Sequence, residues 1–427
     1  MPPMADDRPV LVLGGGPAGL MAADVISAAG VRVIVVDAMP SVGRKLLMAG
    51  RGGLNLTHSE PVGVFLTRYG AARDWMAGPV GAFAPDAARH FASHLGQETF
   101  VGSSGRVFPK AMKASPLLRA WLARLARQGV TVRTRCRVTA IEGADAVTID
   151  TGGASERLEG RAVVLAFGGA SWPRLGSDGS WVDMVRARGV GVADLAPFNA
   201  GAAIAWSETF ASRFAGEPLK RIAIACAGGR VRGEAMVTRG GLEGGAVYQL
   251  NREILEEVGR AGKARLEIDL RPDLTFDDLL ARLIRPRGKQ SVSTWLRKAA
   301  ALSPVAIGLL REVSPGGLPA AADDLAMLIK GLPLDASGLA GLSRAISTRG
   351  GVRLEDIGPD MQLAALPGVF VAGEMIDWDA PTGGYLLQGC FATGVVAGHG
   401  VLRHLGVVLA TVQAENSQEK QIETERS

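Results

Sequence analysis

The chain has 427 residues, too many for one compact core, so two or three domains are expected. It holds 57 glycines, a net charge of only +5, a pI near 9.3, and three cysteines, Cys136, Cys226 and Cys390, without CxxC spacing. These values exclude a redox-active CxxC pair and a cysteine metal site, and the scattered Lys and Arg argue against a nucleic-acid partner. Few cysteines and no signal-peptide pattern point to the cytoplasm. No run of uncharged apolar residues has the length expected of a membrane span.

The first informative stretch runs from Val10 to Asp37. An apolar strand enters Gly14-x-Gly16-x-x-Gly19, an alanine-rich helix follows, and a second strand ends on Asp37 beside Ala38. Gly14 permits the tight turn, Gly16 lets backbone approach a pyrophosphate, and Gly19 lets the helix pack against the sheet. Pro17 and Ala18 open the helix, whose free N–H groups and positive end favour phosphate. Asp37 stands where a ribose hydroxyl would lie. This strand–turn–helix–strand–acid unit predicts a bound dinucleotide.

The next segment, Gly43 to His58, is a glycine-rich loop able to pass over the cofactor. Arg44, Lys45 and Arg51 can meet phosphate or flavin oxygens, Gly50 lets the loop turn, and Asn55 and Thr57 add polar contacts. His58 is the one histidine in this motif and a candidate for moving a proton. Val130 to Ile141 alternates like a strand, with Val138 at the level expected for adenine. Arg161 to Leu165 reads as a buried parallel strand ending in the Gly168-Gly169 turn, which returns the chain to the pyrophosphate side.

From about residue 194 the pattern changes to short runs such as Arg221–Ala225 and Arg265–Leu270 between glycine-rich turns, an antiparallel β unit through 271. Arg239 and Glu243, on a glycine-rich loop there, are candidate catalytic residues. Residues 272–344 carry helical spacing, as in Phe276 to Ile284 and Leu296 to Leu310. The first domain, begun by residues 1–193, resumes over 345–410. A polar tail over 411–427 without periodicity is expected to be disordered.

Within the resumed segment, Gly368 to Glu374 forms another short strand ending in Gly373-Glu374, suited to the ribityl chain of FAD. A helix opening with Gly383, Gly384 and Tyr385 follows, rich in small residues such as Gly389, Ala392 and Gly394. Its N–H groups suit the flavin edge where negative charge gathers on reduction. Two distant sites fitted to one ligand favour FAD. No motif residue suits covalent attachment, so the link is expected to be non-covalent.

These residues resemble the bacterial YhiN-like flavoproteins, the family of aminoacetone oxidase and the bile-acid dehydro-reductases. The resemblance runs from about residue 8 to 405. It rests on the opening strand–turn–helix, the GRKLL-x-x-G…N-x-T loop at Gly43 to Thr57, and the LA-x-GGAS-aromatic-Pro turn at Leu165 to Pro173. It rests further on T-x-GGV at Thr348 to Val352 and AGE-x-x-D-x-x-A-PTGGY-x-LQ at Ala372 to Gln388. It implies an α/β fold, a glutathione-reductase-type FAD-binding Rossmann-like domain with an inserted β-rich plus helical domain. It also implies cofactor roles for Gly14, Gly16, Asp37, Arg44, Lys45, Asn55, Val138, Gly168, Gly373, Glu374, Gly384 and Tyr385. The chain departs from the family at Leu54, at Leu386, where relatives carry Asn, and at Val237 to Gly245, so a relative's substrate need not transfer.

No second GxGxxG unit is present for a nicotinamide cofactor, and no metal-ligand spacing appears. The expected chemistry is hydride transfer between a small organic substrate and flavin N5. An oxidase of a small amine using O₂, as in aminoacetone oxidation, is one reading. An NAD(P)H-fed reductase of a conjugated C=C bond is a second, and a flavin-binding or RNA-modification accessory protein a third.

Overall fold

The computed structural model describes residues 6–407, so the tail expected over 411–427 lies outside them. The cofactor domain is built on a six-stranded sheet. Its order is Gln362–Leu363, Leu366–Val371, Ala162–Leu165, Val10–Leu13, Val33–Val36 and Thr131–Arg133. All neighbours run parallel except the first pair. Val10–Leu13 and Ala162–Leu165 are buried at every residue, which is why both read as unbroken apolar runs. The glycine turn leaves the carboxyl end of the central strand, where open α/β sheets place their ligands.

The segment read as one strand over Val130 to Ile141 divides in two. Thr131–Arg133 joins the main sheet, Arg135 takes φ +56°, and Arg137–Ile141 starts a separate three-stranded antiparallel sheet.

Two helices cross closely on the main sheet, Pro17–Ala28 and Tyr385–His404. Small residues make this contact possible. A Cβ on Gly394 would lie 2.4 Å from the carbonyl oxygen of Ala18, and one on Gly398 2.8 Å from Val25 Cβ. The second helix has 20 residues and a mean hydropathy of 1.3, enough in length and composition for a membrane span, contrary to the sequence expectation. It is a core helix here, with 72% of its apolar window buried.

The inserted domain is one unit with its own core, running from Ala202 to Ala336. Its seven-stranded antiparallel sheet has the order Leu332–Ala336, Ala264–Asp269, Pro218–Cys226, Gly229–Thr238, Gly241–Glu243, Ala202–Ala203 and Gly338–Leu339. The helices of the 272–344 stretch end at Lys330, after which the chain re-enters this sheet. That stretch is therefore part of the same domain as the β unit. Three of its helices are capped by hydroxyls: Thr275 accepts from Asp278 N–H, Ser291 from Thr294 N–H and Ser303 from Ala306 N–H. A helix over Asn251–Ala261 lies in the portion expected to be β-rich; Ile254 and Val258, four residues apart, face its core.

The two domains are joined by an antiparallel ribbon, Val192–Phe198 against Ser347–Val352, so the expected boundary at 193 falls inside a strand. Asn199, fully buried with φ +50°, sits at the crossing. Its Nδ2 donates to Ser347 Oγ (2.7 Å) and to the Ala380 carbonyl (2.8 Å), and its Oδ1 accepts from Thr382 N–H (3.0 Å). Asn251 binds both backbone groups of Ala200 in the same way. These two amides fix the inserted domain against the Pro381–Gly384 loop.

Gly394→Val is expected to force the two helices apart and destabilise the fold by about 1–3 kcal/mol. Because Ala18 lines the cofactor cavity, the purified variant should also lose flavin. Urea melts and the visible absorbance of the protein check both effects; full flavin content would show that the helix contact does not shape the cavity.

Candidate active site

A cavity opens at the carboxyl ends of the parallel strands and collects residues from the whole length of the domain. Gly14, Gly16, Pro17 and Ala18 contribute from the first turn, Asp37 and Ala38 from the second strand, and Arg44 and Lys45 from the following helix. Val138, Gly168, Gly373 and Glu374 also line it, whereas Gly19 and Asn55 do not. Ser177, Trp181 and Cys390 line it as well, without a sequence pattern that marks them.

The three turn glycines differ in what they face. A Cβ on Gly14, which has φ +114°, would meet Ala166 O at 2.2 Å, and one on Gly19 would meet Gly14 O at 2.0 Å. A Cβ on Gly16 would meet nothing within 4 Å, and Gly16 has an ordinary φ of −82°. Protein packing therefore requires Gly14 and Gly19, while Gly16 keeps open space at a helix N-terminus that has no side-chain cap. That is the arrangement a pyrophosphate needs.

Asp37 organises the loop around this space. Its Oδ2 accepts from Gly15 N–H (2.8 Å) and its Oδ1 from Met39 N–H (2.7 Å). Burial pushes its carboxyl above the ordinary value, opposed by these hydrogen bonds and by Arg44. At the other end, Lys45 Nζ binds Glu374 Oε2 at 2.6 Å and Ser171 Oγ at 2.5 Å. Glu374 Oε1 accepts from Thr348 N–H at 3.0 Å, and Thr348 Oγ1 accepts from Ala170 N–H at 2.8 Å. One hydrogen-bonded node thus joins four of the segments read as motifs.

Four buried polar atoms around these segments have no protein partner: Arg44 Nε, Asn55 Oδ1, Thr57 Oγ1 and Ser177 Oγ. Buried polar groups are rarely left unpaired, and Arg44 and Ser177 line the cavity. Open space at Gly16, a free helix end, basic side chains and unpaired hydrogen-bonding atoms fit FAD. Arg44, Lys45, Asp37 and Glu374 are the charged groups placed to hold it.

Other expected residues lie outside this cavity. Arg51 is exposed, and Gly50 packs on Ala114. Gly383 and Tyr385 instead line a second cleft of about 510 Å³, and Gly384 backs onto Thr57. This cleft lies between the domains. His58, Arg68, Arg106 and Tyr385 come from one side and Val231, Tyr248, Arg252 and Glu253 from the other. Arg252 crosses the gap, with Nε 3.1 Å and Nη2 2.5 Å from Asp379 Oδ1 and Nη2 2.9 Å from the Arg68 carbonyl.

Of the three candidate catalytic residues, only His58 lines the cleft. His58 stacks on Tyr385, with Nδ1 accepting from Glu60 N–H (3.1 Å) and Nε2 at 3.0 Å from Ser104 O, so both ring nitrogens are committed to backbone. Arg239 points outward in a loose 3.7 Å contact with exposed Glu208, and Glu243 is 3.5 Å from Arg344. Neither lines the cavity or the cleft.

Sequence reasoning singled out His58, Gly383 and Tyr385 of the cleft but missed its arginines and Tyr248. Tyr385 donates to Glu60 Oε1 (2.8 Å), and Arg68 binds both oxygens of Glu60. Burial would raise the Glu60 carboxyl, but Arg68 and Tyr385 hold it below its ordinary value. Burial and Glu60 together push the Tyr385 phenol well up. Burial, and then the charge of Glu243, raises Tyr248. Both phenols stay protonated at neutral pH. No local pattern marks Arg68, Arg106, Tyr248 or Arg252; they meet only when the inserted domain folds back.

Comparison with known proteins agrees with this geometry. The family profile described as "HI0933-like protein Rossmann domain" matches residues 8–400. A protein described as a 3-dehydro-bile acid delta(4,6)-reductase from Clostridium scindens is 26% identical over 406 residues, covering 91% of this chain and 97% of that protein. A ribosomal RNA dihydrouridine synthase from Escherichia coli is 25% identical over 393 residues, covering 88% of this chain and 94% of that protein. Among solved structures, 3-ketosteroid delta1-dehydrogenase from Sterolibacterium denitrificans superposes with a TM-score of 0.51 at 13% identity, covering 94% of this chain and all of that one. At that identity the likeness is one of fold.

Gly16→Val is expected to leave the apo fold intact and abolish FAD retention, whereas Gly14→Val should fail to fold. Circular dichroism together with flavin fluorescence after denaturation separates the two; flavin retained by folded Gly16→Val would contradict the phosphate assignment. Glu374→Ala should weaken FAD more than Asp37→Ala, because it also leaves Lys45 without its counter-ion. In a Lys45→Met/Glu374→Ala cycle the two losses should be non-additive by about 0.5–3 kcal/mol, read by titrating apo-protein with FAD.

Proposed function

The chain belongs to the HI0933-like Rossmann family and is an FAD-dependent oxidoreductase, and we propose that it reduces a C=C bond conjugated to a carbonyl. The observation that carries this reading is the cleft beside the Gly383–Tyr385 loop, with three arginines and a protonated phenol on its walls. When bound, FAD supplies two-electron hydride chemistry. Adding hydride at the far carbon of such a substrate drives negative charge onto its carbonyl oxygen. Cationic donors fixed in a partly desolvated cleft stabilise that charge. Arg68 and Arg252 are already held by Glu60 and Asp379, so they are pre-oriented. Among the described residues, Arg106 has no carboxylate partner and is free to meet the oxygen. Tyr248, protonated and facing the cleft, is the candidate donor of the proton that completes saturation.

The names of the two sequence relatives support the reading. One is a delta(4,6)-reductase and the other makes dihydrouridine, and both names describe hydrogenation of a ring double bond. The electron donor proposed is NAD(P)H visiting transiently, since no second nucleotide-binding unit is evident in the sequence. Oxidation of a small amine such as aminoacetone by O₂ has one feature in its favour. Glu253 lines the cleft with Oε2 buried and unpartnered, a place for an ammonium group. The three arginines oppose that placement.

Anaerobic reduction by NADH or NADPH, followed by mixing with either a cyclic enone or air-saturated buffer, distinguishes the readings. Rapid reoxidation by the enone is expected, with Tyr248→Phe slowing it about 10²–10⁴-fold at unchanged flavin content. If anaerobic aminoacetone bleaches the flavin while the enone leaves reduced enzyme unchanged, the chain is an amine oxidase instead.

A further inference from the structure

The inserted domain carries a second charged feature that flavin chemistry does not use. From Leu279 to Arg311 the sequence contains no Asp or Glu. Arg282, Arg285, Arg287 and Lys289 cluster at the end of the helix Phe276–Leu283 and in the turn after it, all exposed. Arg297 and Lys298 follow in the last turn of Val292–Ala299, and Arg311 in that of Pro304–Glu312. Among the described residues none of these seven has a carboxylate within ion-pair distance. Cations without ion-pair partners held on one domain create a positive field.

The structure also gives this surface a shape. Arg297 and Arg311 meet Arg213, from the helix Glu208–Phe214, around an open pocket of about 470 Å³. Ser293, on the pocket wall, accepts from Arg311 Nη2 at 2.8 Å, which fixes that guanidinium. The one carboxylate lining the pocket, Glu312, is already bound through both oxygens to the N–H and hydroxyl of Ser207. Beside the basic turn, Ile284 is 65% exposed and offers an apolar contact.

We infer that this face of the inserted domain docks the phosphate backbone of RNA. Guanidinium forks match phosphate oxygens in pairs, and arginines converging from three helices suit a curved strand better than a planar lipid surface. The individual cations are too dispersed in sequence to form a block of like charge, which is why the sequence argued against such a partner. Folding brings Arg213 to within one pocket of residues about 80–100 positions later. The inference rests on the proposed C=C reduction, for which a pyrimidine ring in RNA is one substrate of the required chemistry.

The test uses the FAD-loaded protein and a fluorescent single-stranded RNA containing uridine. Fluorescence anisotropy in increasing KCl should give an affinity that falls steeply with salt. R213Q/R297Q/R311Q should weaken binding at least tenfold and flatten the plot of log Kd against log[KCl] by about 2–3. A second variant, R285Q/R287Q/K289Q, alters only an exposed turn and should act in the same direction. Both should keep wild-type flavin content and enone turnover, so loss of RNA binding is separable from failure of the reductase reading. Unchanged RNA affinity in both variants overturns the inference. So does tighter binding to phosphatidylglycerol vesicles than to RNA.

Discussion

The ion pair between Lys45 and Glu374 holds the cofactor site together. It spans 329 residues and joins the helix after the second strand to the end of the last parallel strand. A charge pair withdrawn from water gains stability only when its remaining hydrogen-bonding capacity is met. Here Lys45 also binds buried Ser171, and Glu374 also takes the Thr348 N–H. The Gly168–Gly169 turn and the Thr348–Val352 strand are thereby drawn against the same point. Each segment presents backbone or small residues to the cavity, but none forms a wall without the others.

The second constraint is the insertion itself. Strands Ala162–Leu165 and Leu366–Val371 are direct neighbours in the sheet, yet the whole inserted domain lies between them in sequence. The inserted domain leaves and returns through the ribbon Val192–Phe198 and Ser347–Val352. Asn199 ties that ribbon to the loop preceding Tyr385, and Arg252 reaches from the inserted domain to Asp379. The cleft therefore takes its floor from the cofactor domain and its roof from the insertion.

Close backbone approach explains the tight motifs. A Cβ on Gly350 would lie 2.1 Å from Asp194 O, and one on Gly351 2.3 Å from Met375 O. Both glycines have positive φ, so two independent constraints act on each position. The same holds at Gly14, and at Gly373 the second constraint is the Ala18 side chain, 2.7 Å from where a Cβ would lie. Where conformation and packing both demand glycine, spacing becomes visible in a single sequence.

The sequence by itself determined the α/β class, the dinucleotide turn and the two widely separated ends of the FAD site. Each depends on short-range requirements: a turn with positive φ, an apolar run buried on both faces, an acid ending a strand. It also marked Lys45 and Glu374, though as ligands of the cofactor and not as partners of one another. Tertiary structure alone decided the rest. His58 reached the cleft with backbone groups of Glu60 and Ser104 at both ring nitrogens. Arg239 and Glu243 do not line the cleft, while Tyr248, Arg106 and Arg252 do. The helical stretch proved to be the cover of one sheet, since Leu332–Ala336 returns as its edge strand. Those outcomes depend on which surfaces meet after the chain folds back, and no local spacing encodes the partner of a side chain a hundred residues away.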